Sequence, residues 1–339
     1  MNSNDAKLPL CLQETDKAGK IRSRTAKTEN AYRIRYLGLA RTLAKQLGDP
    51  HVEIGQVIDS LRHRAPALAK RSYYLYCACI KQELRDIYVD GGLTVEAVED
   101  LVARLKPDAG AAVGSKSKTG SSRKRRHFRP VTQGAMVSIL GQRKGNTAQN
   151  LACMLEVGPE IGVRPCEFFG CRLEGKTLYV RSAKFSAENE RGIAAWRQFE
   201  LLEFGKEELA ELADLIERLN EELRSVEGDR EKLVRRYSAM MRRTRCLVPS
   251  ASDLTLAATR HQFRANLARA GYRREDIAAA MGHASAGTAE AHYGRSTKGW
   301  YPIDSYRPVS VPANMVALVR PGARAKFRES AYEPIKFHP

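Results

Sequence analysis

The stretch TRHQFRANLARAGYRREDIAAAMGHASAGTAEAHYGR, running from Thr259 to Arg295, decides how this chain is read. Arg260 and His261 open an apolar-periodic segment. Phe263, Leu267 and Ala270 follow at separations of four and three, so they share one helix face. Gly271 stands just past the last periodic residue, where a left-handed C-cap belongs. A second helix is expected over 274–281, with Ile277 and Met281 facing inward. Gly282 ends it and leaves His283 in a tight turn. Ser285 or Thr288 is placed to cap a third, short helix that carries Tyr293. Arg260, His283 and Tyr293 are thereby expected around one small space.

Those three side chains have a shared chemistry. Arginine offers a planar fork of donors that matches two phosphate oxygens. Histidine donates to a phosphate oxygen near neutral pH. Tyrosine carries a hydroxyl that can attack, although its ordinary pKa of about 10 makes it a poor nucleophile unaided. An ordinary helical core with a capping histidine and a half-buried tyrosine has the same periodicity, so pattern alone leaves both readings open.

Working outward, IGVRPCE at 161–167 places Arg164 between a turn-permitting Gly162 and Pro165, a residue suited to a first helical position. Arg164 is expected just before a helix start, with Glu167 near it; a simple Arg–Glu ion pair would look the same. A strand is expected over 176–181, and Lys184 falls at its end or in the following turn. Lys176 and Arg181 are rivals for any role given to Lys184. The region 196–245 reads as mostly helical, a long charged hairpin broken near Gly228. Leu209, Leu212, Ile216, Leu219 and Leu223 form its apolar stripe.

The order Arg260-His261, Gly282-His283, Tyr293 resembles the last catalytic box of the tyrosine recombinases, the phage-integrase type. The run Gly162-x-Arg164-Pro165-x-Glu167 looks like the first box of that family. The resemblance implies that Tyr293 attacks a DNA phosphodiester to form a 3′-phosphotyrosyl link. Arg164, Arg260 and His283 would stabilise the phosphorane, and Lys184, on a β-hairpin loop, would protonate the leaving 5′ oxygen. Glu167 would support the site by orienting an arginine, and His261 would assist. It further implies double-stranded DNA as substrate, a tetramer on paired sites, accessory DNA-binding proteins as potential partners, and no cofactor or metal requirement. The chain departs from the pattern at Ala257, where the family has His, Lys or Tyr, and the interval from His283 to Tyr293 is ten residues, one more than in many members. Two outcomes are open: the remaining groups suffice, or catalysis is reduced or lost. Rival readings are therefore a DNA-binding regulatory or architectural protein and a type IB topoisomerase-like enzyme.

Composition agrees with a polyanionic partner. Across 339 residues, 57 Lys and Arg face 39 Asp and Glu, a formal charge of +18. The seven cysteines form no paired Cys-x-x-Cys set, which leaves zinc unsupported and fits a reducing compartment. No apolar run is long enough to span a membrane and no secretory signal is evident, so a prokaryotic, DNA-associated cytoplasmic location is expected.

The expected fold is mainly α with a small β-sheet: an N-terminal helical bundle followed by a mixed α/β catalytic domain of the recombinase type. The expected divisions are a flexible basic arm, 1–28; a helical DNA-binding domain, 29–106; a flexible basic linker, 107–129; the catalytic domain, 130–299; and a tail, 300–339. The linker is rich in Gly, Ser and Lys, and Arg123, Lys124, Arg125 and Arg126 within it are candidate contacts to the DNA backbone. The tail holds apolar residues between prolines. It suits either docking on a neighbouring protomer or packing on its own domain.

Overall fold

The computed structural model describes residues 8–13, 24–106, 127–187, 191–287, 298–300 and 308–321. The chain divides into two compact units, 1–122 and 123–339.

The first unit is a helical bundle of α1 (Ala26–Leu47), α2 (Ile54–Arg64), α3 (Lys70–Val89) and α4 (Val95–Arg104). Three of these helices, α1, α2 and α4, begin where a side chain satisfies a free N–H group. Thr25 accepts from the Thr28 amide at 3.3 Å, Gln56 accepts from the Glu53 amide at 2.8 Å, and Thr94 accepts from the Ala97 amide at 3.3 Å. Gly48, in the left-handed region, closes α1. Tyr73, Cys77, Ile80 and Leu84, spaced at fours and threes on α3, are buried, as are Cys79 and Gln82 beside them. They pack with Val57, Ile58 and Leu61 of α2 and Val98 of α4. Buried Tyr73 keeps its hydroxyl satisfied by donating to the Leu105 carbonyl at 2.9 Å, and burial pushes its pKa up to about 12. Within the expected arm, Leu8 and Leu12 are buried, and Lys81 Nζ donates to the Cys11 carbonyl at 3.1 Å.

The second unit carries α5 (Pro130–Gly141), α6 (Asn146–Ile161), β1 (Arg172–Glu174), β2 (Thr177–Arg181), β3 (Trp196–Leu201), α7 (Lys206–Ser225), α8 (Arg230–Arg245), α9 (Ala257–Arg269), α10 (Arg274–Ala280), β4 (Val309–Ser310) and α11 (Ala313–Ala317). The four strands form one antiparallel sheet in the order β1-β2-β3-β4. The fold is therefore mainly helical with a small sheet. No helix among the described residues is long and apolar enough to cross a membrane.

The expected start of the charged helical hairpin differs. Trp196 to Leu201 forms a strand, not the start of the charged helical hairpin. Arg197, Phe199 and Leu201 are buried while Trp196 and Glu200 are exposed, which is period-two alternation. A charged residue at an inward position hid that pattern. The remainder, α7 and α8, is the expected helical pair, broken at Gly228 with φ of 80°.

Helices α6 and α9 pack closely in the unit's core. A Cβ on Gly158 would lie 2.7 Å from Thr259 Cβ, so a glycine is needed at this crossing. Gly162, with φ of 61°, ends α6; a Cβ there would sit 1.9 Å from the Phe263 ring. Phe263, Leu267 and Ala270 are all fully buried, as their spacing predicts.

Residues 308–321 pack on this same unit. The Leu202 amide donates to Pro308 at 3.0 Å, and the Tyr272 hydroxyl donates to Val309 at 2.6 Å. Met315 and Val319 join Ile193, Ala278, Ala279 and Ala286 in a small second apolar cluster. Phe128, inside the stretch expected as linker, is buried edge-on against Trp300, whose indole N–H donates to its carbonyl at 2.7 Å.

Candidate functional site

The site is built where α6 ends. After Gly162, Val163 is buried as an anchor and Arg164 follows. Pro165 does not open a helix, contrary to expectation. Residues 165–167 form a turn in which the Glu167 amide donates to the Arg164 carbonyl at 2.8 Å, and the Glu167 side chain accepts from the Arg164 amide at 2.8 Å. The carboxylate closes the loop on itself, and Phe168 and Phe169 then carry the chain into the core.

Glu167 is the centre of an ionic cluster. Its Oε1 lies 2.5 Å from Arg164 Nη1 and accepts from the Ala183 amide at 3.1 Å. Its Oε2 accepts from Arg197 Nη2 at 2.8 Å and lies 3.7 Å from Arg260 Nη1. Burial alone would push this carboxyl up, but Arg197, Arg260 and Arg164 together hold it well below the usual carboxylate range. Among the described residues, three guanidinium groups face one carboxylate, which gives that set a net positive charge.

Arg260 joins the two halves of the site. It is only 3% exposed. Its Nη1 donates to the Gly162 carbonyl at 2.6 Å, and its Nη2 donates to the Met281 carbonyl and lies 3.5 Å from His283 Nε2. Two of its donors thus hold the ends of α6 and α10 together. His283 is 6% exposed, and its amide donates to the Ala278 carbonyl at 2.8 Å. Gly282, with φ of 65°, makes the turn that presents it.

Lys184 is exposed in the turn after β2. The neighbouring Ala183 amide ties that turn to Glu167, and Ser186 bridges Arg191 across the hairpin. A Cβ on Gly192 would meet Phe185 Cα at 3.4 Å and the Gly282 carbonyl at 3.7 Å, so the hairpin lies against the His283 turn. Lys176 sits in the β1–β2 turn, and Arg181 pairs with Trp196 at the end of β2. His261 is half-buried one position beyond Arg260, about 100° around the helix. Ala257 is exposed in the first turn of α9. Tyr293, Arg123, Lys124, Arg125 and Arg126 lie outside the described residues.

Arg164, Glu167, Arg260 and His283 are therefore brought together, with the Lys184 turn attached through Ala183. Sequence reasoning missed Arg197, which is wholly buried and reaches both Glu167 and the Ala280 carbonyl, at 2.8 Å and 3.0 Å. The alternation around it on β3 was the available signal. A cavity of about 730 Å³ lies among His127–Thr132, Ser250 and Lys298–Trp300 and includes none of these site residues.

No protein-family model matches the chain, and no curated protein matches it. Among solved structures, the crystal structure of a XerA recombinase is similar at 14% sequence identity and a TM-score of 0.33, over 92% of this chain and 94% of that chain.

Proposed function

We propose that this protein cleaves and rejoins DNA through a 3′-phosphotyrosyl intermediate, in the service of site-specific recombination. The observation that carries the reading is the convergence of Arg164, Arg260 and His283, from three separate segments, on one net-positive cluster around Glu167. Such a cluster suits a phosphate more than a neutral substrate, because guanidinium groups in a poorly solvated site are stabilised by an anion placed among them.

In the proposed reaction, the Tyr293 hydroxyl gives its proton to water as its oxygen attacks phosphorus, and the bond to the 5′ oxygen breaks. Lys184 gives that oxygen a proton, and a 5′ hydroxyl later reverses the step on a partner strand. Arg164 and His283 donate to the developing charge. Arg260, largely enclosed, adds positive potential and holds the ends of α6 and α10 together. The phosphodiester bond energy is retained in the covalent link, so rejoining needs no external energy source.

The test is a nicked suicide duplex run on a denaturing gel. Wild type is expected to trap a covalent adduct, and Tyr293→Phe to bind DNA without one. An adduct that persists in Tyr293→Phe would remove Tyr293 as nucleophile. A second reading, DNA binding without catalysis, is favoured by the exposed Ala257 and by the engagement of Arg260 with two carbonyls. Specific DNA binding by a wild type that never forms an adduct would select it.

A further inference from the structure

We infer that Arg197 is a positioning residue of the phosphate site, pinning Glu167 to the turn that presents His283. The inference rests on the phosphoryl-transfer reading for its role in reaction, and on geometry for its role in anion binding. Arg197 leaves β3 inward, and its side chain is wholly shielded from solvent, so it cannot itself touch a ligand. Its Nη2 donates to Glu167 Oε2 at 2.8 Å and its Nε donates to the Ala280 carbonyl at 3.0 Å. One guanidinium therefore grips both the carboxylate that orients Arg164 and the last turn of α10. Gly282 gives it room: a Cβ at that position would stand 3.1 Å from Arg197 Cδ. His283 follows immediately.

Stability alone does not account for this arginine. Its Nη1 is buried with no hydrogen-bond partner among the described residues. A buried ion pair is often no more stable than well-packed apolar residues of similar volume, and an unpaired buried donor adds a further cost. A fork that reaches two separate segments gives something an aliphatic side chain cannot, a fixed distance between them. Arg260 makes a second link, from the Gly162 carbonyl to the Met281 carbonyl, one residue on from Ala280.

The second consequence is electrostatic. The groups facing Glu167 are Arg164 in its own turn, Arg197 on β3, Arg260 on α9 with His283 beyond it, the Ala183 amide beside Lys184, and Cys171, whose thiol donates to the Glu167 carbonyl at 3.0 Å. Burial pushes the Cys171 thiol up to about 12, so it stays neutral. Taking away the Arg197 charge leaves Glu167 buried with less compensation, and its pKa must rise.

The experiment uses the full chain as wild type, Arg197→Met, Arg197→Lys and Arg164→Ala. Inorganic phosphate is titrated against each by thermal unfolding, with chloride at matched ionic strength as the control. Adduct formation on the suicide duplex is then followed from mildly acidic to neutral pH. Arg197→Met is expected to fold, to bind phosphate about 10- to 100-fold more weakly, the range seen for supporting groups at metal sites, and to lose adduct rate toward acid pH where wild type does not. Arg197→Lys is expected to restore the pH profile through its charge, while phosphate binding stays weakened because an ammonium cannot span both partners.

A folded Arg197→Met with wild-type phosphate affinity and pH profile would overturn the inference. Should that variant fail to fold, Arg197→Lys decides: unchanged phosphate affinity overturns, reduced affinity supports. Failure of the functional reading is separate. It shows as a wild type that makes no adduct, or as an Arg164→Ala variant that keeps both phosphate affinity and adduct formation. Where wild type makes no adduct, the phosphate arm still decides the role of Arg197; an Arg164→Ala variant that keeps phosphate affinity overturns the phosphate site and the role of Arg197 with it.

Discussion

Glu167 Oε2 and Arg197 Nη2 meet at 2.8 Å with both side chains fully excluded from solvent. The pair joins the turn after α6 to the third strand, and the same carboxylate also meets Arg164 and Arg260. Its consequences can be measured.

Glu167→Ala removes the counter-charge from two enclosed arginines. The expected loss is about 3–5 kcal/mol, the range for breaking one side of a buried ion pair, read from urea unfolding of the second unit. A loss below about 1 kcal/mol would show that the arginines find other partners or water. The pH dependence follows from the sign of the shift. The folded pKa of Glu167 is depressed, so its stabilisation is complete above the unfolded value of about 4.3 and is lost as pH falls through the lower folded value. Wild-type stability should show no pH dependence from this group between neutral pH and about pH 5, and a fall only in stronger acid. The Glu167→Ala variant should lack that acid-range component.

Gly162→Ala should destabilise the second unit by about 2–5 kcal/mol, combining left-handed backbone strain with overpacking. The added methyl would overlap the Phe263 ring, with a nearest approach of 1.9 Å. Phe263→Ala opens that space at its own cost. In a double-mutant cycle the pair should therefore be less destabilising than the sum. Strict additivity would mean that strain, and not overlap, is the whole effect.

Lys184→Ala should slow adduct formation by about 10²–10⁴-fold, the usual contribution of a general acid, with little change in thermal stability because Lys184 is exposed. A substrate with sulfur at the 5′ bridging position leaves as a thiolate and needs no proton. It should recover most of the lost rate. No recovery would move the acid role to another group.

DNA affinity should fall steeply with salt. Replacing Arg123, Lys124, Arg125 and Arg126 with glutamine should reduce the slope of log affinity against log salt by about 0.9 for each phosphate contact removed. Specific and random duplexes should be affected alike, since phosphates carry no base sequence. A slope that does not change would show that this run is free of the DNA.

Much of the architecture is legible in residue order because helix formation is local. The four-and-three spacings of Tyr73, Cys77, Ile80 and Leu84 and of Phe263 and Leu267 predict which faces are buried. Gly48, Gly228 and Gly271 mark breaks because each sits at positive φ, where glycine avoids the Cβ clash. Arg164, Glu167, Arg260 and His283 stand out because their spacing and neighbours carry a chemical pattern.

What the sequence determined by itself is thus the helical character, the small sheet and the set of phosphate-suited side chains near element ends. Tertiary structure alone decided that Glu167 gathers Arg164, Arg197 and Arg260, that Arg260 is enclosed between Gly162 and Met281, and that 308–321 returns to the sheet and to α10. Arg197 shows the reason most clearly. An arginine at an inward strand position looks like a solvent-facing charge until the fold supplies a carboxylate and a carbonyl to receive it. Periodicity reports which side of an element faces the interior, but a buried charge is stable only through partners distant in sequence, and those become neighbours only when the chain packs.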